Sequence, residues 1–197
     1  MSEAAGTMTP MRVPFAPALP IRTERLALRE FRPDDFDALL PIHSDPDNVR
    51  YVPYEARSRE QMQVALDRKI AGRELTGDGQ HLDLIVTLHD GTVVGDLVVM
   101  LHTLEHDTVE VGWIFAPAHG GRGYATEAVR ALLELVFTDL QARRAVARVD
   151  DRNTASVRLC ERLGMRREAH LLENEVFKGE LSSEYDYALL RREWPTP

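Results

Sequence analysis

The chain has 197 residues, 44% of them hydrophobic and 28% charged, with a formal net charge of −8. That length fits one domain with a proper hydrophobic core. The acidic balance argues against nonspecific binding to nucleic acid or to an anionic membrane, both of which need basic surface; it suits a cationic substrate and still allows an anionic ligand held by backbone groups.

The first twenty residues, "MSEAAGTMTPMRVPFAPALP", lack a basic n-region and a continuous apolar stretch. They read as a flexible or surface-draped arm rather than a signal peptide, with a single domain over 21–197. In 24–30, Leu26 and Leu28 alternate with polar neighbours and predict a strand. Asp34 and Asp35 then suit a helix start, with Phe36, Leu39 and Leu40 on its apolar face. A Pro-rich loop, "DPDNVRYVPYEARS", leads to a second helix over about 59–75, with Met62, Leu66 and Ile70 on one side.

Leu82, Leu84, Val86 and Leu88 alternate up to Asp90-Gly91, and a β-branched run follows, which is a hairpin signal. "TVEVGWIFAP" places Val109, Val111, Trp113 and Phe115 on one face of a further strand. Gly112 inside it predicts a bulge or a close neighbour. From Ala125 to Leu140, apolar residues recur at helical spacing in the strongest helix of the sequence. A short strand over 144–149 precedes a helix with Asn153 as N-cap and Gly164 just past its end. Strand-like pieces finish the chain. The order β-α-α-β-β-β-α-β-α-β-β predicts an α/β (α+β) domain: one mixed sheet covered by helices.

Cys160 is the only cysteine, so an intramolecular disulfide is impossible. No Cys/His cluster has zinc spacing, and no metal is expected. No apolar run approaches the ~18 residues of a membrane helix. A reducing cytoplasm is the simplest home.

The chemistry concentrates in two places. "HGGRGYATEA" puts Gly120, Gly121 and Gly123 with Arg122 at the entrance to the long helix. Helix N-terminal amides point outward without partners and carry positive partial charge, so such a turn can hold a phosphate; it can also be a plain connection. The Gly-Lys-Ser/Thr ending of a P-loop is missing, and Thr126 stands where a dinucleotide fingerprint needs glycine. The second place is "DDRNTASVRLCERLGM". There Asn153 and Ser156 are either capping residues or a site, and Cys160 sits with Val157 and Leu163 on the apolar side as a core thiol.

Taken in order, "TERLALREFRPDD", "DPDNVRYVPYE", "EVGWIFAPAHGGRGYATEA" and "NTASVRLCERLGM" with "ENEVFKGE" resemble the GNAT superfamily of acyl-CoA-dependent N-acyltransferases. More narrowly they resemble its ribosomal-protein alanine/serine N-terminal acetyltransferase branch. The resemblance spans about 23–194. It departs from the family's pyrophosphate-loop pattern at Gly120, where Gln or Arg is usual, and matches it at Gly123 and Ala125.

The resemblance implies a GNAT fold: a single, mostly antiparallel mixed sheet with a splayed parallel strand pair holding pantetheine. It implies that amides from about Gly121 to Thr126, through Arg122, Gly123, Tyr124 and Ala125, surround the diphosphate of acetyl-CoA or another acyl-CoA. The thioester carbonyl would meet an amide near Ile114 or Phe115, with Asn153 and Ser156 beside the pantetheine and the sulfur. Ser156 stands where many members carry a Tyr and is the expected donor to the departing thiolate. Glu175, with Glu173 as its neighbour, is the expected base. The acceptor, a small amine or a protein N-terminus, would lie near His43, Tyr51 and Tyr54. A homodimer is compatible with the family. A catalytically silent acyl-CoA-binding module is the alternative to an enzyme.

Overall fold

The computed structural model describes residues 10–195. Its strands form one eight-stranded sheet in the order β1-β2-β3-β4-β5-β6-β8-β7. In chain order these are β1 Ile21–Arg22, β2 Leu26–Arg29, β3 His81–Leu88, β4 Val93–Thr103, β5 Thr108–Phe115, β6 Arg144–Asp150, β7 Arg166–Phe177 and β8 Glu180–Leu190. The helices are α1 Phe36–Ser44, α2 Arg59–Ala71, α3 Tyr124–Glu134 and α4 Thr154–Arg162. Every strand pairing is antiparallel except β5 with β6. The predicted order and the mixed sheet are found, with the two-residue β1 added.

The sheet is covered on both faces. Leu82, Leu84 and Val86 of β3 pack with Ala128, Val129, Leu132 and Leu133 of α3 in the main core. Ile85, pointing the other way, packs with Leu39 of α1 and with Met62 and Leu66 of α2. Residues 82–87 are therefore buried without a break, the polar Asp83 and Thr87 included.

α2 opens with a capping box between Ser58 and Gln61 and ends at Ala71, short of the expected 75. Leu75 exchanges backbone hydrogen bonds with Phe15 instead, N to O at 2.9 Å in both directions. That pairing also accounts for part of the expected arm. Met11 and Phe15 are buried against the domain, and the Arg12 amide donates to Leu140 O at 2.8 Å. Residues 10–20 are thus laid onto the surface, and residues 1–9 of the arm lie outside the described residues. The long helix keeps α-spacing to Glu134 and continues as a π-helical turn, Leu135–Asp139, in which Leu135, Val136 and Phe137 stay buried.

Gly112 is the close neighbour of the two expected alternatives. The β4–β5 register stays regular around it, and a Cβ there would come within 3.0 Å of Val98 Cγ1. A tighter approach lies at Gly95, paired with Phe115, where a Cβ would sit 2.4 Å from Ile114 O and 2.6 Å from Phe115 Cδ1. β7 also breaks strict alternation: Leu171 pairs with Glu184 but Glu175 pairs with Ser182, so an extra segment bulges between them with Glu173 at φ 46°. Gly95→Ala should therefore push the end of β5 off β4, at a cost of about 1–3 kcal/mol for overpacking. Calorimetric unfolding of the variant is expected to show a Tm lower by several degrees.

Candidate functional site

β5 and β6 run parallel but share only three residue pairs, Thr108↔Arg144, Val109↔Ala145 and Glu110↔Val146. Past Glu110 each continues with its other neighbour, β5 on β4 as far as Phe115 and β6 on β8 as far as Asp150. Between the separated edges lies a cavity of about 390 Å³, bordered by Gly112, Trp113, Ile114, Ala147 and Val149 and, from α4, by Asn153 and Ser156. The Ala116 amide donates to Val94 O, so strand alternation turns the Ile114 amide to β4 and those of Trp113 and Phe115 into the cleft. Of the two expected amide positions, Phe115 is the one facing the gap.

One end of this region is the glycine turn. Gly121 and Gly123 have φ of 72° and 82°, conformations that favour residues without a Cβ. α3 begins at Tyr124 with Gly123 as N-cap and no side-chain cap. A cavity of about 670 Å³ is walled by Gly120, Gly121 and Gly123 and by Tyr124, Ala125 and Thr126 of the first helical turn. Arg122 is exposed and lies outside that wall; its carbonyl accepts from Arg25 Nη1 at 2.9 Å. The cations that do line the cavity are Arg25, Arg130 and Arg162. Arg25 is paired with Glu127 at 2.6 Å, and Arg162 Nε donates to Thr126 Oγ1 at 3.3 Å. Three separate segments supply these arginines, so no local spacing announced them.

At the middle of the cleft, Asn153 Oδ1 accepts from the Ser156 amide at 3.1 Å, the cap expected from sequence. Trp113 Nε1 donates to Ser156 Oγ at 3.1 Å. An indole nitrogen only donates, so Ser156 accepts there and keeps its own hydroxyl hydrogen for another partner. Cys160 is fully buried, and burial pushes its thiol up to about 12. It packs as a core residue, as expected.

The other end opens into a vestibule of about 500 Å³ that shares Tyr51, Tyr54, Glu110, Arg148 and Asp150 with the cleft. Glu55, Glu175 and Glu184 also line it, against Lys178 as the further cation. Glu175 is exposed; partial desolvation and then the charges of Glu184 and Asp150 raise its pKa. Glu173 is not part of the wall: its amide donates to Ser183 Oγ at 2.9 Å in the bulge. Glu110, not anticipated, stands where β5 and β6 part, and its pKa is raised chiefly by burial.

His43 has no solvent exposure and is not part of the cavity wall; its two partners, Tyr54 and Asp96, both line the cleft. Its Nδ1 is 2.8 Å from the Tyr54 hydroxyl and its Nε2 is 2.7 Å from Asp96 Oδ2. Lys69 of α2 bridges Asp83 and Asp96 at 2.7 and 3.2 Å. Burial opposes ionisation of Asp96, but the Lys69 charge and the His43 hydrogen bond outweigh it and hold the carboxyl down at about 2. Tyr51 and Tyr54 line both the cleft and the vestibule. Among the described residues no group of three or more His, Cys, Asp or Glu is placed to hold a metal ion, and no helix is long and apolar enough to cross a membrane.

Comparison with known proteins gives a consistent result. Residues 25–166 match the family model for an acetyltransferase (GNAT) domain. The chain is 32% identical over 174 residues to the uncharacterized N-acetyltransferase YnaD of Bacillus subtilis (strain 168), covering 88% of this chain and 98% of that protein. It superposes on a GNAT-family acetyltransferase from Bacillus anthracis with a TM-score of 0.80 at 31% identity, over 89% of this chain and 100% of the other. A likeness of fold alone extends to the spermidine N-acetyltransferase of Vibrio cholerae, solved with CoA and spermine. There the TM-score is 0.75 at 20% identity, over 87% and 98% of the two chains.

The glycine turn can be tested without a full ligand. Gly123→Ala places a Cβ 3.3 Å from Arg25 Nη2 at a φ of 82°, a conformation costing an L-residue roughly 1–2 kcal/mol. Calorimetric titration with inorganic pyrophosphate is expected to show weaker binding to this variant than to the parent chain.

Proposed function

The chain belongs to the GNAT acetyltransferase family, whose members move an acetyl group from acetyl-CoA to an amine, and from that premise we propose how its own residues divide the work. The diphosphate of an acyl-CoA sits on the amides of 121–126, with Arg130 and Arg162 adding charge. The pantetheine arm lies between β5 and β6 and bonds the strand edges left unpaired there. The Phe115 amide meets the thioester carbonyl, which becomes an oxyanion during attack and gains most from a fixed donor. Ser156, with Trp113 occupying one of its lone pairs, turns its hydroxyl hydrogen to the departing thiolate. The acyl group is acetyl or another short chain.

The observation that carries this reading is the cleft itself. It opens into a vestibule rich in carboxylates, and Phe115, next in β5 after the cleft-lining Ile114, borders a neighbouring cavity at an uncapped, glycine-walled helix N-terminus. The glycine-walled cavity suits an anionic donor. In the vestibule Glu55, Glu110, Asp150, Glu175 and Glu184 outnumber Arg148 and Lys178, which suits an acceptor that arrives as an ammonium ion. The acceptor is thus a cationic primary amine, either a small molecule or a protein N-terminus. Glu175 takes the proton that the ammonium must lose before it can attack, directly or through water, and its raised pKa brings it nearer to that task.

Calorimetry with CoA, followed by a thiol-release assay with acetyl- and succinyl-CoA against an amine panel, tests the proposal. Tight CoA binding without turnover on any amine would make the chain a silent binding module instead. Ser156→Ala is expected to slow turnover while leaving CoA affinity unchanged; full-rate thiol release by that variant would remove the assigned role. Glu175→Gln should lose most at the acidic end of the pH–rate profile, by up to about 100-fold, and recover as the amine deprotonates in solution. An unchanged profile would count against Glu175.

A further inference from the structure

Forming an amide from an ammonium ion releases two protons from nitrogen. One leaves before attack, and the other leaves after the N–C bond has formed. Glu175 lies only on the vestibule wall, whereas Tyr54 lines both the vestibule and the inner cleft that Trp113 and Ser156 border. We propose, building on the transferase reading, that the Tyr54 hydroxyl accepts this second proton from the attacking nitrogen, with His43, held by Asp96, as the positioning group that drains it.

The hydrogen-bond chain fixes the direction of transfer. Asp96 is ionised beside Lys69, so it only accepts, and His43 Nε2 must carry a hydrogen. In the neutral imidazole Nδ1 is then the acceptor, and the Tyr54 hydroxyl, 2.8 Å away, donates to it. The phenol oxygen is left with lone pairs for an N–H in the cleft. Burial, and then the Asp96 charge, push the phenol's own pKa far up, so Tyr54 gives its hydrogen only to a partner that takes it directly.

The transfer balances. After attack an N–H bond of the tetrahedral intermediate breaks and a new O–H forms on Tyr54, while the original Tyr54 hydrogen passes to His43 Nδ1. Tyr54 ends as a neutral phenol, His43 as an imidazolium, and Asp96 stays a carboxylate. The C–S bond then breaks, its electron pair leaving on the thiolate. The imidazolium returns its proton through Tyr54 to the thiolate or to water.

Asp83 and Asp96 with Lys69 leave the buried cluster beside His43 one negative charge in excess. Arg57, stacked 3.8 Å from the Tyr54 ring centroid and donating its backbone amide to His43 O, and Arg68 on the cavity wall are further cations around the relay. The arrangement follows the logic of a hydroxyl–imidazole–carboxylate triad, with a phenol in the first place.

The test compares Tyr54→Phe, His43→Gln and Glu175→Gln in the full chain, using acetyl-CoA with a short alkyl diamine and with a peptide carrying a free N-terminus. Tyr54→Phe is expected to lower kcat by about 100-fold or more at every pH, with CoA affinity unchanged. The Glu175→Gln loss should instead fade at alkaline pH. His43→Gln should lower kcat without raising the KM for acetyl-CoA. Should that buried substitution prevent folding, nitrogen NMR of His43 in the parent chain supplies the second readout, with its hydrogen expected on Nε2. Wild-type kcat in Tyr54→Phe, a loss that disappears at high pH, or an Nδ1–H tautomer would each overturn the relay while leaving the transferase reading intact. Failure of the parent chain to bind CoA, or to acetylate any amine, would overturn both.

Discussion

Two neighbouring strands that pair for three residues and then part are the constraint on which this molecule turns. Backbone N–H and C=O groups are obligatory hydrogen-bonding groups, and leaving them unmade in a covered place costs free energy. β5 and β6 tolerate that cost because each is held along its full length on its other side, by β4 and by β8. Trp113 and Ser156 then tie the upper part of β5 to the start of α4 across the gap. The opening is thus a framed slot. The proposed function fills the slot with a ligand whose own amide groups satisfy the separated edges.

At the base of the cleft lies a second unusual feature, a buried set of charges. Taking Asp83, Asp96 and Lys69 out of water carries a large desolvation cost, and a hydrophobic trio of similar volume would often stabilise as well or better. The gain is positional. Lys69 comes from α2, Asp83 from β3 and Asp96 from β4, so the bridge fixes how α2 sits on the sheet. His43 extends the same network into α1, and Tyr54 carries it to the cavity wall. At the rim, Lys178 of the β7–β8 turn donates to Val49 O, joining the loop after α1 to the hairpin that bears Glu175. Both walls of the vestibule are therefore referenced to one rigid layer.

Features that depend on neighbours in sequence were legible there. The order of elements, the Asn153 cap, the glycine turn and the apolar face of α3 all rest on propensities or spacings a few residues long. Features made by the meeting of distant segments were not. Arg25, Arg130 and Arg162 converge on the glycine turn from a loop, a helix face and a helix end. Lys69, Asp83 and Asp96 each look like ordinary surface charges until α2 is laid on the sheet. Glu110 gains its raised pKa from the divergence of two strands, which no single segment encodes. The bulge at Glu173, with its residue at positive φ, shifts the β7–β8 register between Leu171 and Glu175, and no local spacing signals it.

The charge distribution explains how one slot serves two substrates of opposite sign. The chain as a whole carries −8, so an anionic donor approaching at random meets repulsion almost everywhere. At the mouth of α3 the helix N-terminal amides and two exposed arginines, Arg130 and Arg162, set positive charge against that field, and this is where the proposed function seats the donor diphosphate. The opposite end keeps the general sign and is made more acidic by Glu55, Glu175 and Glu184. Low-dielectric walls between the ends focus both fields along the slot. On the proposed function each substrate is drawn to the end it fits, and the reacting atoms meet in the cleft that Ser156 and Tyr54 line. On that proposal, selectivity for the donor rests on the main-chain geometry of the glycine turn with Arg130 and Arg162 beside it, and selectivity for the acceptor on side chains of the vestibule, contributed by loops and by the β7–β8 hairpin.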